Sequence, residues 1–322
     1  HHRRREREAR EGSLVLIDGS THPWLESRGP VFTLVGAVDD ASGRILTLVV
    51  REREDLHGYL ELLGRVTTEH GVPLAFYGDR FGALIRNDPH WTLEEELRGR
   101  QDPTTFGRIL EELGVAFIAA GSPQAKGRIE RLWGVLQDRL VAELRLLGAT
   151  TLDQVRTYLP HFIAEYNARF ARPVRDPRVA WRPGPRDLPL RLSCRYVRVA
   201  ARDNTVSVPG RWLQLPARSQ NRSWQGCSVE LRECLDGTFH ALHRGRVIAS
   251  QKALAGPFTL VQREGGHRAR RRTQNLAPPP RIEDTAPTPT RKKPQRLGNI
   301  TNIRRPDPTH PWKRDRATPP PA

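Results

Sequence analysis

Leu14-Val15-Leu16-Ile17-Asp18 is a run of four apolar residues closed by an acid. It reads as a buried strand ending at Asp18. Outward from it, Val31 to Val38 is rich in strand formers, Asp39-Asp40-Ala41-Ser42-Gly43 is a turn signal, and Arg44 to Val50 is a further strand. Together these predict an antiparallel meander of three strands. Leu56, Tyr59, Leu60, Leu63 and Val66 then recur at helical spacing, and Gly71 and Pro73 stop that helix. Leu74 to Tyr77 predicts a short strand closed by Gly78-Asp79. Phe106 to Leu113 predicts a helix stopped by Gly114, and Val115 to Ala119 a strand. Ser122-Pro123 opens a long helix from about Gln124 to Leu147. Arg80 to Pro103 is polar and reads as an inserted loop. A meander joined to βαβ units makes an α/β fold, a mixed sheet with helices on both faces.

Leu152 to Phe170 predicts one more amphipathic helix, and Pro173 to Pro189, rich in proline and arginine, an interdomain linker. Short strands follow at Arg195 to Val199, Thr205 to Val208, Ser228 to Arg232 and Phe239 to Leu242, with hairpin signals at Asp203-Asn204 and Asp236-Gly237. These predict a small all-β barrel or sandwich. The expected organisation is a basic linker over 1–12, a catalytic core over 13–172, a linker over 173–189, a small β-barrel over 190–262 and a disordered Pro/Arg-rich tail over 263–322.

The chain has 322 residues, 37% of them hydrophobic, and a formal net charge of +17. From Arg263 onward it carries 15 Arg/Lys against 5 Asp/Glu, so a large part of the excess belongs to the tail. Such a charge favours a polyanionic partner and can hold DNA phosphates without reading sequence. No apolar run is long enough to span a bilayer and no signal peptide is visible, so a cytosolic, nucleoid-associated protein without a membrane partner is expected. Cys194, Cys227 and Cys234 form no CxxC pair, and buried or half-exposed thiols are expected rather than disulfides or zinc. The chain starts at His1 and has no methionine, which reads as a fragment missing its beginning.

The order of elements is that of a ribonuclease-H-like sheet. In such a sheet the first and fourth strands are neighbours and the long helix crosses their ends. Asp18 and Asp79 close those strands, and Glu130 lies two turns into the helix, so the three acids are expected to converge. Clustered carboxylates repel unless cations intervene. Mg²⁺ or Mn²⁺, two ions per site, prefer oxygen ligands and suit in-line phosphoryl displacement. Asp39 and Asp40 are expected to serve the turn, and His22, His57 and His70 to be ordinary surface histidines. Trp24, Trp133 and Trp181 are weighed between base stacking and core packing, with packing favoured.

The segments Leu16-Ile17-Asp18-Gly19-Ser20, Tyr77-Gly78-Asp79 and Ser122-Pro123-Gln124-Ala125-Lys126-Gly127-Arg128-Ile129-Glu130-Arg131 resemble the integrase core of DDE transposases. That superfamily includes retroviral integrases. Glu165-Tyr166-Asn167-Ala168-Arg169-Phe170 and the long gap before Glu130 are most similar to ISNCY-type bacterial insertion-sequence transposases. The resemblance implies metal-dependent DNA cleavage and strand transfer, with Asp18, Asp79 and Glu130 as metal ligands. It also implies a homo-oligomer assembled on transposon ends and target DNA. Lys126, and less strongly Arg128 and Arg131, are the expected phosphate contacts. Two departures stand out. The gap from Asp79 to Glu130 exceeds the usual spacing, and Glu94-Glu95-Glu96 inside it offers rival carboxylates. No helix-turn-helix region precedes the core, which keeps open a second reading, a catalytically silent DNA-binding remnant. A ribonuclease-H-like nuclease acting on RNA hybrids is a third.

Overall fold

The computed structural model describes residues 6–86, 88–120, 123–217 and 222–263, the side chains of 123–126 excepted. The expected disordered tail therefore lies outside the described residues, apart from Arg263.

The first sheet has five strands: β1 (Val15–His22), β2 (Phe32–Asp39), β3 (Ile45–Arg51), β4 (Ala75–Gly78) and β5 (Ala116–Ala119), in the order β3-β2-β1-β4-β5. β1, β2 and β3 form the antiparallel meander, while β4 runs parallel to both β1 and β5. Burial on both faces explains the near-continuous apolar runs of β2 and β3. Val15, Ile17, Val35, Ala37 and Phe76 face α1 (Leu56–Glu69) and α3 (Thr105–Leu113), meeting Tyr59, Leu63, Val66, Phe106 and Leu110. Leu14, Leu16, Leu34, Leu48 and Val50 face α4 (Pro123–Leu146) and α5 (Leu152–Phe170), meeting Leu132, Trp133, Leu136, Leu140, Leu159 and Phe162. A register shift between Ala37 and Val38 leaves Leu46 as the extra residue, which is why Leu46 packs with the α1 face while Ile45 packs with the other.

β1 does not end at Asp18. Its antiparallel pairing with β2 continues to His22, although β4 accompanies it only over Val15 and Leu16. The polar Gly19-Ser20-Thr21-His22 looks like a strand end in sequence, but Thr21 hydrogen-bonds across to Thr33 and keeps the ladder going. The polar insertion is also more than a loop. It contains α2 (Leu93–Arg98), opened by a capping box between Thr92 and Glu95 and closed by Gly99 in the left-handed region. Asp55 and Thr104 cap the starts of α1 and α3 with single side-chain hydrogen bonds from the amides of Gly58 and Gly107.

The second β region holds α6 (Leu188–Arg191) and strands β6 (Ser193–Val199), β7 (Thr205–Val208), β8 (Arg211–Gln214), β9 (Ser228–Cys234), β10 (Phe239–His243) and β11 (Arg246–Gln251). Among the described residues these form an open four-stranded sheet, β11-β10-β9-β6, and a separate β7-β8 hairpin, not a closed barrel. The reason is packing. Leu192, Cys194, Tyr196 and Leu231 belong to the same apolar cluster as α1 and α3, so the face a barrel would close upon itself is covered by the first sheet's helices. The turn signals hold: Asn204 and Gly237 take positive φ, and Asp203 and Asp236 accept the amides of Thr205 and Thr238.

The stretch read as a linker is tied down. Arg182 pairs with Val72 through backbone hydrogen bonds, and its guanidinium donates to the carbonyls of Pro73, Leu113 and Gly114. Gly12 lies so close to Trp181 that a Cβ there would clash with ring and backbone, in a residue already at φ +81°. After β11 the chain returns as a strap. Leu260 is fully buried and its amide donates to His57 Nδ1, while Thr105 hydroxyl donates to Gln262. Arg263 clasps Glu233, itself buried and paired also with Arg211.

Candidate metal centre

Asp18 is 7% exposed and sits mid-strand on the α4 face of β1. Trp133 Nε1 donates to its Oδ2 at 3.0 Å. Asp79 follows β4 directly and is half-buried, and its Oδ1 accepts the Phe81 amide at 2.9 Å, which fixes the turn leaving the strand. The parallel register pairs Val15 with Phe76 and Leu16 with Tyr77. The ladder ends there, two residues before Asp18 and Asp79. A Cβ on Gly78 would meet Ile17, consistent with that alignment.

Glu130 is exposed on α4, one turn before Trp133. Residues three apart share a helix face, so Glu130 stands on the stripe that Trp133 presents to Asp18 and that Gln137, 3.4 Å from Ser20, continues. The other end of α4 is anchored by Arg28, which donates to the carbonyls of Leu144 and Ala149. Asp18 and Asp79 thus lie just beyond the paired part of two neighbouring strands, and the helix bearing Glu130 reaches Asp18 through Trp133. Among the described residues, however, no group of three His, Cys, Asp or Glu is drawn together closely enough to hold an ion.

The donor chemistry fits a hard divalent cation. Asp18 and Asp79 offer oxygen ligands, each with one oxygen oriented by an N–H donor, as supporting groups around a metal do.

Glu54 and Tyr59 escaped the sequence reading. Glu54 lies in a charged run, Arg51-Glu52-Arg53-Glu54-Asp55, and looks like a solvated loop residue. Its carboxylate instead packs against Gly19, next to Asp18, and its Oε1 accepts the Tyr59 hydroxyl at 2.5 Å. Burial first, then Glu54, then the charges of Asp18 and Asp79 hold the Tyr59 hydroxyl far above the ordinary phenol range. Four groups therefore share one electrostatic neighbourhood. The available signal was the glycine directly after Asp18, since a missing side chain often marks close approach.

The remaining candidates divide. The Lys126 side chain lies outside the described residues. Arg128 is engaged by the buried Asp40, whose Oδ2 also accepts the Glu8 amide and whose carbonyl accepts from Arg7. Arg131 is exposed. Of the rival acids, Glu94 and Glu96 are exposed, whereas Glu95 is buried and accepts the amides of Thr92 and Asp102, both at 2.8 Å, and a guanidinium from Arg86. Its backbone and side-chain hydrogen bonds lower its pKa to about 2. Asp39 serves the turn, accepting from Ser42 and Gly12, and burial raises its pKa. His57 is not a surface histidine: it is buried, accepts the Leu260 amide, and burial followed by Arg51 lowers its pKa. Trp24 and Trp133 pack in the core. Cys194 and Cys234 are buried free thiols, Cys227 is half-buried, and burial pushes Cys194 up to about 12.

Two curated proteins share clear sequence similarity with the chain. A Sinorhizobium fredii protein described as a transposase (y4bF) is 40% identical over 171 residues, 53% of this chain and 36% of that protein. The transposase for insertion sequence IS1202 of Streptococcus pneumoniae is 34% identical over 170 residues, 52% of this chain and 35% of that protein. The chain therefore spans about a third of the length of the curated relatives it matches. No family model matches. Among solved structures, the HTLV-2 integrase catalytic core domain with magnesium, in a trimeric form, overlaps 48% of this chain and 85% of that chain, at 15% identity and TM-score 0.35. A simian T-cell lymphotropic virus intasome overlaps 78% and 82% respectively, at 14% identity and TM-score 0.39.

Over roughly half its length, then, the chain is similar in sequence to proteins described as transposases. This agrees with the resemblance to transposases drawn from its motifs. No helix among the described residues is long and apolar enough to cross a membrane.

Proposed function

We propose that this chain carries the catalytic part of a metal-dependent DNA transposase, cutting and joining DNA strands of an insertion sequence. The observation that supports the reading is Asp18 held by Trp133 of the helix that bears Glu130, on the strand next to the one that Asp79 follows, in a chain similar in sequence to transposases. Asp18, Asp79 and Glu130 would hold two Mg²⁺ or Mn²⁺ ions. When bound, such ions activate a water or a DNA 3′-hydroxyl and stabilise the leaving oxygen. The chain's own part is positioning. Trp133 and the Phe81 amide hold the two aspartates in one orientation. The buried aspect of Asp18 raises the worth of charge at that point. Glu130, exposed on α4, is the acid that DNA and metal binding would draw in. Lys126 and Arg131 are the proposed phosphate contacts. Arg128 serves first to fasten the start of α4 to the turn after β2.

The proposed partners are transposon ends and target DNA, and the working form is a homo-oligomer assembled on them, acting on the bacterial nucleoid. The open β sheet and the basic tail would add phosphate contacts without sequence reading. The organisation proposed is a core to 172 and a β region over 190–262, joined by a fixed connector.

The test is cleavage and joining of a preassembled branched DNA with Mn²⁺, comparing wild type with Glu130→Gln. A preformed branch removes the need for end recognition. Products from wild type, lost by about a hundred-fold or more in Glu130→Gln with DNA binding retained, are expected. Products at wild-type level from Glu130→Gln overturn the role of Glu130. DNA binding without products from any variant supports the silent remnant.

A further inference from the structure

Arg195 on β6 stands directly opposite Arg232 on β9 in the antiparallel register. Like charges facing each other across a strand pair are destabilising. Both guanidiniums draw on one carboxylate, Glu230, Arg195 through Nη2 at 2.6 Å and Arg232 through Nε at 2.5 Å. Among the described residues this is the one side-chain hydrogen bond that Arg232 makes. Its side chain is only 12% exposed, and its buried Nη1 has no acceptor. A guanidinium carries five N–H donors, and donors left unmet away from solvent cost free energy.

Arg232 also lines a cavity of about 190 Å³ between α3, α6 and β9, together with Arg191, Leu190, Glu112 and Asp187. That is far more room than a single water needs. The charges around it do not balance. Arg108, Arg191, Arg195 and Arg232 are set against Glu112, Asp187 and Glu230, four cations against three anions. Burial, and with it the charges of Arg232 and Arg195 acting against Glu112, lowers the pKa of Arg108. Water would satisfy the idle donors without offsetting the surplus charge. A singly charged oxyanion does both.

We infer that the Arg195–Arg232 pair, with Arg191 on the cavity wall, is an oxyanion site that takes one phosphodiester group of a DNA backbone. The inference rests on the reading of the chain as acting on DNA and deepens it, assigning phosphate contact to one place in the second sheet. A phosphodiester carries the single negative charge that the group lacks. Arg195, 41% exposed, leaves the site open to a polymer lying over the sheet. Glu230 is the positioning residue that holds the two guanidiniums together.

The experiment uses the whole chain and two probes. Inorganic phosphate is compared with chloride at equal ionic strength, read as melting temperature, and a short DNA duplex is titrated at several salt concentrations. Phosphate is expected to raise the melting temperature of wild type but not of Arg232→Gln. Duplex affinity should fall on the order of ten-fold in Arg232→Gln, with the salt slope reduced by about one. Arg195→Gln, at the more exposed position, should do the same and serves if Arg232→Gln does not fold. Arg232→Lys should keep the slope and lose part of the affinity, since it retains the charge without the planar fork. A reduced slope in the glutamine variants supports the DNA site. Loss of phosphate stabilisation with an unchanged slope overturns DNA as the occupant and leaves a site for a free anion. An unchanged slope in every variant, with no phosphate stabilisation of wild type, overturns the site and leaves water in the cavity. Failure of wild type to bind the duplex at all overturns instead the DNA reading on which the inference rests.

Discussion

Two pairs of aspartates flank the same strand, and they live differently. Asp39 and Asp40 stand beside the start of β1, where the Asp40 amide donates to Leu14. Both are fully buried, and their neighbours are donors: Ser42, Gly12, the Glu8 amide, and the Arg128 guanidinium. Asp18 and Asp79 stand further along, where β4 leaves β1, and share that end with another acid, Glu54. The first pair is neutralised by the protein and closes a turn. The second is the pair proposed to hold a cation.

Exchanging charge at each pair gives the largest separation. Asp79→Asn should reduce Mn²⁺-dependent cleavage by about a hundred-fold or more while leaving denaturant stability near wild type. Asp40→Ala should do the reverse. It strands Arg128 against a buried turn and should cost about 3 kcal/mol in urea unfolding, with cleavage per folded molecule retained. Equal stability losses in both variants would erase the distinction.

Glu95 sharpens it from the other side. This acid lies in the gap before Glu130 but is absorbed by a capping box and by Arg86. Its folded pKa, about 2, lies below the unfolded value. Its stabilisation is therefore present above the ordinary carboxylate range and lost as pH falls through that range towards 2. Amide-exchange protection factors across 88–102 should be high at neutral pH and fall on acidification, and Glu95→Gln should flatten that response. Protection independent of pH in wild type would contradict the assignment. The smallest effect is expected at Arg131. Arg131→Ala should lower DNA affinity uniformly across sequences and reduce the salt slope by about one, measured by titration at several salt concentrations. An unchanged slope would mean that Arg131 meets only solvent.

The strand order and the long helix could be read directly, because apolar runs and glycine stops report the first sheet faithfully. Three features could not. The continuation of β1 to His22 depends on a partner strand whose pairing outlasts that of β4, and Gly19-Ser20-Thr21-His22 carries no local sign of it. The open β sheet depends on a long-range apolar contact that joins Cys194 and Leu231 to the α1 face. A hairpin signal reports a turn, not what covers the strands beside it. Glu54 was concealed by its neighbours, since a charged run before a helix is normally solvated, and only the contact with Gly19 reveals otherwise.

The strap over 257–263 has a consequence for how such chains can be recombined. Leu260 is rooted in the same core as Tyr59, and Arg263 locks onto Glu233 in the second sheet. The strap therefore behaves as a dowel shared by two boards. A chimera that replaces residues 190–251 alone inherits a dowel cut for the old board, and one ending at Gln251 leaves His57 facing an empty socket. Any viable crossover in this part of the chain has to carry the strap together with the sheet it fastens.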